Sequence, residues 1–258
     1  MPVLNKRNIV ISCFSLLSIF CMLGFITFLL FLSSDLPQTF MELLVHPNIL
    51  IPLSSILFSF FSVYFIKKFF IRNTRAEVFF FVIFLLSLSF DGVRSIIFIF
   101  QLLGKPDIYS VYLSRILIFG KMMGVFSLLC FSMMNIETEY KPFATLCSFA
   151  LIISFFIAAI VPLSPVRAAS SVYLPGQMIF RNSIILLMFI IILTLIFNYL
   201  QNRNWEYLNL AVSILLIFIG SWILFFTISY LWAFLGMCFL TTGTIFVTYR
   251  IHKLYLWY

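Results

Sequence analysis

Asp91 and Arg94 stand three residues apart in SFDGVRS (89–95), and Arg115 and Lys121 follow within SRILIFGK (114–121). One acid and three bases sum to +2. Such a set has three uses. Asp91 and Lys121 can form an ion pair. The four together can line a pocket for an anion, because Arg and Lys hold carboxylates, phosphates and lipid headgroups through charge-assisted hydrogen bonds. Asp91 can also pass a proton. The setting makes the question sharp. FFFVIFLLSLSF (79–90) leads into the motif and IIFIFQLL (96–103) follows it. A charge inside such a run costs about 2.5–3.5 kcal/mol on insertion, so it needs a partner or a purpose.

Other chemistry is sparse. The cysteines Cys13, Cys21, Cys130, Cys147 and Cys238 form no CxxC and lie in apolar stretches, where they read as small hydrophobes. The two histidines, His46 and His252, fall on opposite sides of the bilayer in the topology below, which argues against a His-rich metal site. Seven of the eight acids lie in loops or at span ends, leaving Asp91 alone inside a span. No arrangement of a nucleophile with its base, and no HxxxH, stands out. A retinal-binding lysine is excluded by position, because neither of the last two spans contains a lysine. The hydroxyl-rich Thr241, Thr242 and Thr244 around Gly243 read as helix packing, and Asn198, Asn202 and Asn204 beside Trp205 as a helix end.

The elements that must position the four charged residues follow from composition. The chain has 258 residues, 64% hydrophobic and 9% charged. Soluble domains hold about 45–50% apolar and about 25% charged residues. A net charge of +8 does not indicate nucleic acid here, because the basic residues sit at the ends of apolar runs rather than in one patch. A hydrocarbon core of about 30 Å takes about 20 helical residues. Runs that qualify are 9–32, 49–66, 77–101, 109–133, 143–161 and 183–200. Lys6 and Arg7 precede the first, which is too long for a signal-peptide core and lacks an A-x-A site. From Glu206 to Arg250 lie about 43 uncharged residues. As one helix they would reach about 64 Å, so the spacing predicts two spans, 207–227 and 230–249, with a turn near 227–231. Tyr230 and Trp232 would anchor that turn at the interface.

Charge orients this eight-span bundle. Lys6, Arg7, Lys67, Lys68, Arg72, Arg75, Lys141, Arg203, Arg250 and Lys253 fall on one side, against Lys105, Arg167 and Arg181 on the other. Ten against three places both termini in the cytoplasm. The outer loop 162–182, with Pro162, Pro165, Pro175 and Gly176, reads as a connector or as a cap over an outward cavity. The tail RIHKLYLWY suits the inner headgroup zone.

The spans 77–101 and 109–133 meet at a turn, GKPD (104–107). In an antiparallel hairpin centred there, facing residues sum to about 211. Asp91 then meets residue 120 and Lys121 meets residue 90, at one depth about 21 Å from Glu77. Arg115 would face residue 96 near the outer surface. Gly120 and Gly124 form a GxxxG that lets the two helices approach closely. Two readings stay open. The pair pins the hairpin while Arg94 and Arg115 snorkel to outer headgroups, or all four line a polar pocket that opens outward, in the outer half of these two spans.

The sequence therefore predicts an all-α polytopic transmembrane bundle, one domain over 1–258, in the inner (plasma) membrane. The spans read as continuous helices. The expected role is a non-catalytic ligand- or partner-binding module, sensor or accessory protein, without cofactor, metal or nucleic acid. Its expected partners are the lipid bilayer, a small anion or anionic lipid headgroup, and a membrane or cytoplasmic protein. The alternatives are a secondary transporter of a small anionic solute, although matched halves and proline-broken helices are not evident, and an intramembrane lipid-modifying enzyme.

Overall fold

A computed structural model describes residues 16, 45–69, 76–104, 107–134, 143–161, 163–167, 173–175 and 177–256. The expected first span, 9–32, lies outside the described residues except for Leu16. Backbone polar groups find no water in lipid, so apolar segments close their own hydrogen bonds as helices. The described helices are α1 (Pro47–Phe69), α2 (Ala76–Ser87), α3 (Val93–Leu102), α4 (Asp107–Met134), α5 (Phe143–Ile160), α6 (Gln177–Asn202), α7 (Trp205–Phe226) and α8 (Tyr230–Leu256).

Among the described residues, six stretches are long and apolar enough to cross a membrane: Pro47–Lys68, Glu77–Leu102, Asp107–Met134, Phe180–Asn202, Trp205–Phe226 and Tyr230–Lys253. A shorter apolar helix runs from Thr145 to Ile160. Helices of this length and composition are consistent with a multi-pass membrane protein. The long uncharged stretch divides where the arithmetic puts it, with only Thr227, Ile228 and Ser229 between α7 and α8. The Ser229 N–H donates to Thr227 Oγ1 at 3.1 Å and tightens that turn. Tyr230 Oη donates to the Val45 carbonyl at 2.6 Å and ties the turn to the start of α1.

Within the outer loop, β1 (Leu163–Arg167) and β2 (Tyr173–Pro175) pair antiparallel, and β2 packs against α4 and α6. The proline-rich sequence hides this strand pair. One expectation is corrected: the span 77–101 is not one continuous helix. A 3₁₀ segment, Leu88–Gly92, separates α2 from α3.

The interrupted span is the centre of the bundle. It is 72% buried across its apolar window, and α4 is 67% buried, against 28% for α6 and 33% for α8. The outer helices turn Phe155, Phe189, Leu231 and Phe234 to the surroundings, as lipid-solvated helices should. With lipid as apolar as leucine, such helices associate through close packing and hydrogen bonds. Gly220 on α7 illustrates this: a Cβ there would lie 2.6 Å from the Gly236 carbonyl oxygen of α8.

Candidate functional site in the interrupted central helix

The break in the central span has a local cause. Ser87, Ser89, Asp91 and Gly92 crowd into six residues, and all four favour turns and caps over helix interiors. Ser87 Oγ donates to the Phe84 carbonyl and Ser89 Oγ to the Leu86 carbonyl, each at 2.6 Å. The change to 3₁₀ winding shifts the ladder, and the Leu85 carbonyl accepts Ser59 Oγ of α1 at 2.7 Å. Gly92 lets α1 come close, because a Cβ there would overlap Ile56. A second stitch lies beyond the break. Pro52 of α1 has no N–H, so the Asn48 carbonyl loses its helical donor. Ser95 Oγ of α3 fills that place at 3.1 Å. Polar bonds from α1 thus hold the span on both sides of its irregular turn.

On the other side lies α4, in the expected register. A Cβ on Gly120 would overlap Phe90, and one on Gly124 would overlap Ser87 Oγ, so the GxxxG face is the contact face. Lys121 Nζ lies 2.9 Å from Asp91 Oδ1 and 3.1 Å from Oδ2. Asp91 is 2% exposed and Lys121 14%.

Arg94 joins this cluster but does not snorkel. It is 2% exposed, and its Nη1 donates to the Leu224 carbonyl at 2.8 Å and Nη2 to the Thr227 carbonyl at 3.4 Å. The last carbonyls of a helix have no donors of their own and carry the negative end of its dipole. Arg94 therefore neutralises the end of α7, and its Nε has no hydrogen-bond partner among the described residues. The Phe225 ring lies between the cations, 4.7 Å from Lys121 Nζ and 6.0 Å from the Arg94 guanidinium carbon.

Arg115 is not part of the cluster. Its Nη1 donates to the Ala158 carbonyl at 3.2 Å and to that of Ala159, at the end of α5. Each arginine thus serves a different helix terminus. The acceptors are backbone atoms, which explains why residue types do not reveal them.

Lys121 also borders a cavity of about 40 Å³, shared with Ser87, Gly124, Ser221, Trp222 and Phe225. That is room for a water or two or for one small ion, and far below the 300–1,000 Å³ of an organic ligand pocket. The sequence reading missed Trp222 and Phe225, for which charge patterning offers no signal.

A second charged group lies at the opposite end of the last two helices. Glu206 accepts from Lys253 Nζ at 2.8 Å and from Arg250 Nη1. Asn204 caps α7 there, its side chain accepting from the Glu206 N–H at 3.0 Å. Among the described residues, no group of three or more His, Cys, Asp or Glu is placed to hold a metal ion. No known family model matches the sequence, and no curated protein is significantly similar to it.

Proposed function

We propose that the protein crosses the inner membrane eight times with both termini in the cytoplasm, and that it is a non-catalytic binding module for a small anion. The carrying observation is the Asp91–Lys121 pair, set at a 3₁₀ break, with Lys121 also bordering a small cavity. Asp91 serves as the resident anion of Lys121. A carboxylate, halide or phosphate oxygen entering the cavity takes its place, and the irregular turn lets Asp91 move aside without unwinding a regular helix. Arg94 supports the exchange, because its charge stays beside Asp91 while its Nε–H holds a donor in reserve. A sensor of this kind passes the displacement of residues 88–92 to a partner protein.

Carriage of the same anion is the second reading, favoured by the interrupted central helix, since broken helices form the binding sites of many transporters. Trp222 supplies the test. With Trp205, Trp232 and Trp257 replaced by Phe, chloride, formate, acetate and phosphate are titrated against its fluorescence. A saturable response that disappears in Lys121→Met is expected. A flat response to every anion overturns the binding reading. Uptake of the responding anion into proteoliposomes selects carriage, and its absence leaves sensing.

A further inference from the structure

A groove of about 530 Å³ runs between α1 and α8, far from the Asp91 cluster. Phe58, Phe61 and Phe65 form one wall, Ile245 and Tyr249 the other, and Ser62 and Thr244 lie between them. We propose that this groove is a binding site for one anionic phospholipid, with an acyl chain between the helices and its phosphate at the basic rim. The proposal rests on the chain being a membrane protein and is independent of the anion reading.

Two observations carry it. The first is length. The α8 wall extends from Thr241 to His252, about 16 Å of helix, which matches the depth of one leaflet's acyl layer. The second is charge. Immediately beyond Ile66 stand Lys67 and Lys68, and His252 is flanked by Arg250 and Lys253. Glu206 is bonded to Arg250 and Lys253, so the rim keeps an excess of positive charge on the α1 side. A rim of that sign selects an anionic headgroup over a zwitterionic one.

The test is native mass spectrometry of the full-length protein, released from micelles with phosphatidylglycerol or phosphatidylethanolamine of identical chains. Wild type is expected to keep phosphatidylglycerol at least tenfold better. The preference should fall about fivefold for each of Lys67→Gln and Lys68→Gln. Thr244→Phe fills the deep end and should abolish retention of both lipids. Ser62→Phe does the same from α1, so one folded variant suffices. The double variant Asp91→Asn/Lys121→Met, which removes the anion site without stranding a charge, should retain lipid as wild type does, which separates this result from failure of the anion site. Equal retention of the two lipids overturns the proposal. So does unchanged retention in a folded groove-filling variant, or a dimer that dissociates when the groove is filled.

Discussion

Asp91 with Lys121 and Arg94, and Glu206 with Arg250 and Lys253, have the same composition: one acid and two bases. Their surroundings make them different devices. Asp91 is 2% exposed, and the charges around it are met by a side chain, the carbonyls at the end of α7 and an aromatic ring. Glu206 is 14% exposed, Arg250 22% and Lys253 44%, and the group sits at the ends of α7 and α8. Water screens the second group, and the low-dielectric bundle leaves the first unscreened. Removing one charge from the first strands its partner, whereas removing one from the second leaves solvent to compensate. Burial, and not the inventory of charges, decides which cluster the fold depends on.

Breaking the pair gives the largest expected difference. Asp91→Asn or Lys121→Met alone should destabilise the bundle by about 3–5 kcal/mol, with the double variant regaining much of that loss. Glu206→Gln should cost about 1 kcal/mol or less, and half-molar salt should shrink its effect but not that of Asp91→Asn. Reversible unfolding in mixed micelles measures all four. Similar costs for Asp91→Asn and Glu206→Gln would erase the distinction. Next is the close contact behind the pair: Gly124→Leu should cost about 1–3 kcal/mol through its clash with Ser87 and Phe84, seen in the same assay.

A smaller effect sharpens the role of the buried stitches. Ser95→Ala strands the Asn48 carbonyl and should cost about 1 kcal/mol. In a Pro52→Ala background the helix supplies its own donor, so the Ser95→Ala penalty should largely vanish. A double-mutant cycle on melting temperatures tests this. The smallest effect concerns pH. His46, just before α1, stacks on Phe98 at 4.3 Å and accepts the Asn48 N–H on Nδ1 at 3.3 Å. Burial lowers its pKa below the usual 6.5, so the folded state favours the neutral ring. Its contribution is complete above about pH 6.5 and declines as pH falls through that value, because the unfolded chain then takes up the proton more readily. A melting curve at pH 5 should show a modest loss that His46→Phe removes.

Much of this arrangement was legible from spacing. The hairpin sum near 211 puts Asp91 and Lys121 at one depth, and the two are bonded there, because two antiparallel helices joined by a tight turn have little freedom of register. Ser87, Ser89, Asp91 and Gly92 also announced a weak point in the helix, but that signal was read for its charge alone. The partners of Arg94 and Arg115 were not legible. Any residue has a carbonyl, and only the fold shows which ones end a helix beside an arginine.

The Asp91–Lys121 contact joins residues 30 apart in sequence. During synthesis the acid leaves the ribosome before its counterion exists. A lone Asp within the hydrocarbon core carries a penalty of a few kcal/mol, and a lone Lys a similar one. Insertion of the helices one at a time would meet both penalties in succession. Delivery of the two as a preassembled pair meets neither, so the translocation machinery is expected to release them to the bilayer together.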